Sequence, residues 1–178
     1  MPSVASLSLA AASLVSAAAG AAFGAAAMTA FEAGGAPSPV ISAGAVAAHA
    51  ARSFAMADAD GSGALSSDEY ASFRLVRAEL ARLNGGYALE AGARRVTVRL
   101  PTGAPHALAS EARDRILAQA YRDFYVFAGP DQRMKLGEYQ DDCARAFALA
   151  DRNRDGVLAG AEVVRFAADR TSAADLGV

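Results

Sequence analysis

The strongest constraint on the fold of this chain is a segment that occurs twice. Residues 51–69, ARSFAMADADGSGALSSDE, align without a gap with residues 144–162, ARAFALADRNRDGVLAGAE. Several identical pairs keep the two copies in frame: Phe54 and Phe147, Asp58 and Asp151, Gly63 and Gly156, Leu65 and Leu158, Glu69 and Glu162. The fold of this chain is therefore expected to contain two copies of one structural unit.

Each copy places an acidic cluster between two apolar helical patterns. After the first cluster, apolar side chains recur three or four residues apart, at Tyr70, Phe73, Val76, Leu80 and Leu83. This spacing puts them on one face of a helix. The unit is therefore predicted to be helix, acidic loop, helix, and the oxygen atoms of the loop are expected to point at a common centre.

A hard divalent cation accounts for the polar residues of the first loop, residues 58–69. Calcium takes about six to eight oxygen ligands, and alternate residues of a tightly curled loop can supply them. Gly63 is expected to provide the sharp turn, and Leu65 is expected to point into the core. The predicted ligands are side-chain oxygens of Asp58, Asp60 and Ser62, the backbone carbonyl of Ala64, a water held by Ser66, and both carboxylate oxygens of Glu69.

Both segments resemble the calcium-binding loops of EF-hand proteins, in the compact tandem arrangement of bacterial members of the calmodulin-like superfamily. The alternative, a solvated acidic turn before a helix, does not account for the complete spacing in two places. The resemblance implies a second site in residues 151–162, although Ala159 offers no side chain to hold the outer water. Its implied ligands are Asp151, Asn153, Asp155, the backbone carbonyl of Val157, and Glu162. Two Ca²⁺ ions are therefore expected.

A third loop of the same kind is expected at residues 127–138, in a degenerate form. Its last part matches the first loop, but Phe127, Gly129 and Pro130 stand where carboxylates are needed. The loop is also one residue short when it is counted from the apolar stripe of the preceding helix. We interpret it as an EF-hand loop that keeps its structural pairing without binding metal, rather than as an ordinary helix connection.

Loop pairing is a further implication of the resemblance, because EF-hand loops pair through short antiparallel strands, here at Leu65, at Leu158 and at their neighbours. The second acidic loop can pair with the degenerate loop. For the first acidic loop two partners stay open, the segment 85–105 or a distant loop. Residues 96–100 alternate apolar and polar side chains between Gly-rich and Pro-rich borders, which predicts a strand or a small β-hairpin within residues 86–100.

The predicted fold is mostly α, with EF-hand helix-loop-helix units, short loop-pairing strands and the small hairpin. The EF-hand domain is expected at residues 42–174. The Gly/Pro-rich residues 32–41 are interpreted as a linker.

Residues 1–31 contain no ionisable side chain and are rich in Ala and Ser. Three interpretations stay open. A signal peptide accounts for the apolar run but lacks the usual positively charged start. A membrane anchor accounts for the length, although so much Ala, Ser and Gly makes insertion marginal. The third is a soluble tail. We slightly favour an exported protein, periplasmic or extracellular, or a membrane-anchored one, over a cytoplasmic one.

Charge and motifs do not indicate another chemistry. The net charge of −2 gives no field that would recruit nucleic acid. The nine arginines of residues 71–126 are interpreted as solvated helix faces that offset the acidic loops, rather than as a docking surface for an acidic partner or a membrane. His49 and His106 lack companion ligands for zinc. The chain shows no phosphate-binding loop, nucleophile elbow or acid-base carboxylate pair outside the acidic loops, so we expect no enzymatic activity.

The predicted function is calcium binding, as a calcium buffer or a calcium-stabilised protein. The alternative is a calcium sensor or a membrane-tethered adaptor that exposes an apolar groove to a protein partner. Such grooves are rich in methionine. Because Met56 and Met134 are the only methionines outside the N-terminal segment, buffering is favoured. The sequence does not indicate a particular protein partner or oligomeric state.

Overall fold

The computed structural model describes residues 39–91, 94–100 and 106–172. Within them, five helices and three two-stranded antiparallel sheets form the mostly α fold that the sequence predicts. The helices are α1 (Ala43–Ala57), α2 (Ser67–Asn84), α3 (Ser110–Phe127), α4 (Leu136–Ala150) and α5 (Ala161–Arg170). The strands are β1 (Ile41–Ser42), β2 (Ala64–Leu65), β3 (Gly86–Ala91), β4 (Arg94–Arg99), β5 (Met134–Lys135) and β6 (Val157–Leu158).

The N-terminal predictions fall mostly outside this region. Residues 1–31, interpreted as a signal peptide, an anchor or a tail, lie outside the described residues, and so do residues 32–38 of the predicted linker. No helix in the three described ranges combines the length and the apolar character needed to cross a membrane. Ile41, placed at the end of the predicted linker, is fully buried in β1, so this strand belongs to the folded region.

The two acidic loops lie in matching places in the fold. α1 and α4 are both 15 residues long, and each follows a two-residue strand directly. Each of these helices ends with an aspartate as its C-cap, Asp58 for α1 and Asp151 for α4. Each loop contains a second two-residue strand, β2 or β6, and leads into another helix, α2 or α5. Each acidic loop is thus flanked by two helices, as predicted.

The short strands pair the loops in a different way from the one that the sequence predicts. β2 of the first acidic loop pairs with β5 of the degenerate loop, with Leu65 opposite Met134. β6 of the second acidic loop pairs with β1, with Leu158 opposite Ile41. The expectation that the second acidic loop pairs with the degenerate loop is therefore wrong. Of the two partners left open for the first acidic loop, the distant loop is confirmed.

The reason for this error is that a two-residue strand carries too little side-chain alternation to specify its partner. What the strands share is burial: the side chains of Ile41, Leu65, Met134 and Leu158 are all fully buried. Leu65 therefore points into the core, as predicted.

β3 and β4 form the hairpin expected within residues 86–100. Its register runs from Gly86 opposite Arg99 to Ala91 opposite Arg94. The C-cap residue of α2 is Gly85, whose φ of 63° lies in the left-handed region. Glycine adopts this conformation without steric cost, so Gly85 turns the chain from α2 into the hairpin.

The buried face of α2 differs from the predicted apolar stripe. Leu83 is 48% exposed, whereas the buried positions include Ala78 and Ala81 and two arginines, Arg74 and Arg82. The interpretation of all nine arginines as solvated is therefore wrong for these two. Periodicity alone cannot identify a buried arginine, because its partners come from distant parts of the chain.

His49 of α1 is buried against Tyr87 of β3, with its Nε2 atom 3.0 Å from Nη2 of Arg77. A guanidinium group only donates hydrogen bonds, so Nε2 accepts and the ring is neutral. The hydroxyl oxygen of Tyr87 lies 3.2 Å from the same nitrogen. Burial, together with the positive charge of Arg77, lowers the pKa of His49 from 6.5 to about 3.

We expect acid to destabilise the protein through His49. Because the pKa is lower in the folded state, the unfolded state takes up a proton first as the pH falls, and stability is lost between pH 6.5 and about 3. Between about pH 7 and about pH 5 the free energy of unfolding should fall by about 2 kcal/mol from this group. Urea unfolding of the wild type and of His49→Gln measures the effect, since glutamine does not titrate. Equal pH dependence in the two proteins would contradict the prediction.

Candidate metal centre

The first acidic loop brings three of its predicted ligands together. One carboxylate oxygen from each of Asp58, Asp60 and Glu69 lies within 4.8 Å of the others. Asp58 caps the end of α1 and Glu69 lies in the first turn of α2, so the two helices carry these side chains to the same place. Among the residues that the structure describes, no other three Asp, Glu, His or Cys side chains have ligand atoms within 4.8 Å of one another.

Glu69 is held in place by four hydrogen bonds. Its Oε1 atom accepts from the backbone N–H groups of Ala59 at 3.0 Å and Asp60 at 3.3 Å. Its Oε2 atom accepts from the N–H and the hydroxyl of Ser66, both at 2.8 Å. Burial opposes the ionisation of Glu69, but these donors outweigh it and hold the pKa of the carboxyl below its usual range. The side chain is therefore a fixed carboxylate.

Backbone N–H groups also set the positions of Asp58 and Asp60. Ser62 N–H donates to Oδ1 of Asp58 at 3.0 Å and to Oδ1 of Asp60 at 2.9 Å. Gly63 N–H donates to Oδ2 of Asp58 at 2.9 Å. The hydroxyl and the N–H of Ser62 hold the pKa of Asp60 below its usual range. Gly63 has a φ of +80°, which favours glycine and forms the turn that the sequence predicts.

The two neutral oxygens predicted as ligands in this loop contact an arginine. The Ser62 hydroxyl donates to the carbonyl oxygen of Ala64 at 2.9 Å. Arg133, from the degenerate loop, reaches both groups: its Nη2 atom lies 2.5 Å from Ser62 Oγ and 2.7 Å from Ala64 O. A guanidinium group therefore lies beside the acidic cluster.

Two features of this site were missed from the sequence, the capping role of Ser66 and the contact with Arg133. Ser66, predicted to hold a water, is the N-cap of α2, and its Oγ atom accepts from Glu69 N–H at 3.2 Å. Ser66 and Glu69 form a capping box, and the pattern S-x-x-E is a sequence signal that could have revealed it. Arg133 has no such signal, because its contacts depend on the pairing of β2 with β5.

The second acidic loop repeats several hydrogen bonds of the first. Gly156 N–H donates to Oδ2 of Asp151 at 3.1 Å, and the φ of this glycine is again +80°. Glu162 Oε1 accepts from the N–H groups of Arg152 at 3.0 Å and Asn153 at 3.4 Å. The backbone of this loop is therefore folded around its first aspartate and its last glutamate in the same manner.

The carboxylates of the second loop do not converge as those of the first loop do. In the part of the chain that the structure describes, Asp151, Asp155 and Glu162 do not form a group with carboxylate oxygens within 4.8 Å. Asp155 accepts from the Asn153 side-chain amide at 2.9 Å and from Val157 N–H at 3.0 Å.

Asp151 has an unusual environment in this loop. Its Oδ1 atom is buried and has no hydrogen-bond partner. A buried carboxylate oxygen without a partner is costly. A cation bound in the loop would satisfy this atom, so the donor set of the second loop fits a calcium ion.

The degenerate loop uses its acidic side chains internally. Lys135 Nζ pairs with Oδ2 of Asp131 at 2.8 Å, and this bond holds the pKa of Asp131 below its usual range. Glu138 Oε2 accepts from Lys135 N–H at 2.7 Å. Structural pairing of this loop is confirmed, since β5 pairs with β2.

The comparisons with known proteins concern the first loop. Residues 51–73 match a family model described as EF hand. The match covers the end of α1, the first acidic loop and the start of α2. No curated protein and no solved structure gives a significant match to the chain. The family match and the cluster of Asp58, Asp60 and Glu69 together support an EF-hand calcium-binding protein.

Proposed function

We propose that this protein binds two calcium ions, one in residues 58–69 and one in residues 151–162. It acts as a calcium buffer or a calcium-stabilised protein, without enzymatic activity. The observation that carries the proposal is the convergence of Asp58, Asp60 and Glu69 within the segment that matches the EF-hand model. These carboxylates repel one another, and a divalent cation between them converts the repulsion into attraction.

At the first site, every proposed ligand atom is an oxygen, as calcium requires. The ligands are the carboxylates of Asp58, Asp60 and Glu69, the hydroxyl of Ser62 and the carbonyl of Ala64. Three carboxylates combined with neutral oxygens correspond to a dissociation constant of about 10⁻⁷ to 10⁻⁵ M.

At the second site, the proposal is supported by the hydrogen bonds that both loops share and by the unpartnered Oδ1 atom of Asp151. The ligands are Asp151, Asn153, Asp155, the carbonyl of Val157, and Glu162. Calcium binding here requires Asp155 to exchange its contacts within the loop for the cation.

Buffering is supported over sensing by the surfaces between the helices. A cavity of about 510 Å³ is lined by α3, α4, α5 and Arg74 of α2, and half of its lining side chains are charged, including Asp123, Arg145 and Arg165. Of the two methionines in the described region, Met134 of β5 is fully buried, whereas Met56 is 47% exposed. Neither observation favours a methionine-rich apolar groove.

Calcium titration by calorimetry tests the proposal. We expect two ions for the wild type and one ion for each of Glu69→Gln and Glu162→Gln, because each substitution removes one charged carboxylate from one site. Glu138→Gln, at the matching position of the degenerate loop, is the control and should leave the stoichiometry at two. A wild-type stoichiometry below two, or no loss in the two loop variants, would overturn the assignment.

The alternative, a sensor or membrane-tethered adaptor, makes a different prediction. A sensor exposes apolar surface on binding calcium, so the fluorescence of a hydrophobic dye would rise when calcium is added. Tethering through residues 1–31 would keep the full chain, but not a chain that lacks these residues, in the membrane fraction after cell lysis. Constant dye fluorescence together with recovery in the soluble fraction would favour the buffer.

A further inference from the structure

The degenerate loop supplies a cation to the first calcium site. Arg133 lies directly before β5, and the pairing of β5 with β2 places it against the first acidic loop. Its Nη2 atom contacts Ser62 Oγ at 2.5 Å and Ala64 O at 2.7 Å. These are the two neutral oxygens proposed as calcium ligands at this site.

Calcium and the guanidinium group of Arg133 would occupy the same space beside Ser62 Oγ and Ala64 O. Both are cations, so the negative potential of the acidic loop favours both. An arginine side chain stays protonated under all ordinary conditions. A hydrogen bond from Nη2 occupies lone pairs of Ser62 and Ala64 that a calcium ion needs. Two positive charges so close together also repel each other, and this lowers the affinity for the ion.

We propose that Arg133 is a tethered competitor for the first calcium site, and that calcium displaces its guanidinium group from Ser62 and Ala64. The degenerate loop then has a role besides strand pairing, because it sets the calcium affinity of the loop that it faces. This inference depends on the calcium site proposed for residues 58–69.

In the described part of the chain, the second site has no cation at the position that corresponds to Arg133. β1 pairs with β6 in the same way as β5 pairs with β2. The residue directly before β1, which corresponds to Arg133 before β5, is Val40. Val40 is uncharged and 60% exposed. The two sites should therefore differ in affinity, with the second site about tenfold tighter if their ligands are otherwise equivalent.

The test isolates one site at a time. In a Glu162→Gln background, where only the first site titrates, Arg133→Gln should bind calcium about tenfold more tightly than its parent. Lys135→Gln is the matched control: it removes the same charge two residues further along the degenerate loop, but Lys135 Nζ pairs with Asp131 and not with the first loop. Its dissociation constant should change by about twofold or less, since an exposed charge is screened.

The reciprocal variant introduces the competitor into the second site. In a Glu69→Gln background, Val40→Arg should weaken calcium binding by about tenfold. Circular dichroism checks that each variant keeps its helical content.

The possible results separate the two proposals. Tighter binding in Arg133→Gln without a similar gain in Lys135→Gln supports the competitor. Equal dissociation constants for the parent and Arg133→Gln, or equal gains in both variants, overturn it while leaving the calcium site intact. Absence of calcium binding in both the parent and Arg133→Gln overturns the first calcium site itself and the competitor with it.

Discussion

Replacing Asp142 with asparagine is expected to lower the free energy of unfolding by about 3–5 kcal/mol, because it removes the counter-ion of a buried arginine. Asp142 of α4 lies with its Oδ2 atom 2.9 Å from Nη2 of Arg170 in α5. The hydroxyl of Tyr70 in α2 donates to the same oxygen at 3.0 Å. One carboxylate therefore joins three helices, and both members of the ion pair are buried.

The charge of Asp142 is the property that matters in this prediction. Burial opposes its ionisation, but Arg170, Arg74 and the Tyr70 hydroxyl outweigh burial and hold the pKa of Asp142 below its usual range. Asparagine has nearly the same shape but leaves the buried Arg170 with a more distant and half-exposed counter-ion, Asp169, whose Oδ2 atom lies 4.0 Å from Nη1. The loss arises from this poorly balanced buried charge rather than from a cavity.

Urea unfolding of Asp142→Asn against the wild type measures the loss. Asp131→Asn is the control, because its ion pair with Lys135 is exposed to solvent, and such pairs contribute about 0–1 kcal/mol. A loss for Asp142→Asn no larger than that of the control would show that the buried pair is not needed for stability. In the double variant Asp142→Leu with Arg170→Met, stability should be largely recovered, since neither charge is then buried alone.

Calcium is expected to raise the free energy of unfolding by about 4 kcal/mol for each site. This figure applies at 1 mM free calcium and a dissociation constant of about 10⁻⁶ M, because an ion that binds only the folded state stabilises it by mass action. The carboxylates that converge in the first loop are also relieved of mutual repulsion. Two occupied sites would thus add more to the free energy of unfolding than a surface salt bridge or one buried methyl group does.

Urea unfolding in excess chelator and in 1 mM calcium measures this stabilisation. Glu69→Gln and Glu162→Gln should each lose about half of it, whereas Glu138→Gln should keep all of it. Equal unfolding curves with and without calcium would contradict the calcium-stabilised protein, even if calorimetry detected weak binding.

The sequence was most informative where local geometry determines the structure. In residues 58–69 the proposed ligands follow from their spacing within one short loop, so Asp58, Asp60, Gly63 and Glu69 could be placed before any tertiary contact was known. The convergence of the three carboxylates agrees with that prediction. The hairpin of β3 and β4 also has a local pattern, alternation between turn residues, and it was predicted for the same reason.

Long-range contacts were the part that the sequence could not provide. The partners of β2 and β6 depend on how helices distant in the chain pack, and Ile41 gives no sign in the sequence that it will pair with Leu158. Arg74 is buried because Tyr70 and the carbonyl of Asp169 accept its hydrogen bonds, and one of these acceptors is far away in the chain. Arg133 was overlooked for the same reason.

The strand pairs described above also determine when the protein can complete its fold during synthesis. The pairing of Leu65 with Met134 is nested inside the pairing of Ile41 with Leu158. Closing such long loops costs chain entropy before any contact compensates for it, which slows folding. β1 is synthesised well before its partner β6, so the hydrogen bonds between these two strands cannot form until β6 has left the ribosome. Neither acidic loop can therefore complete its strand pairing as an independent co-translational unit.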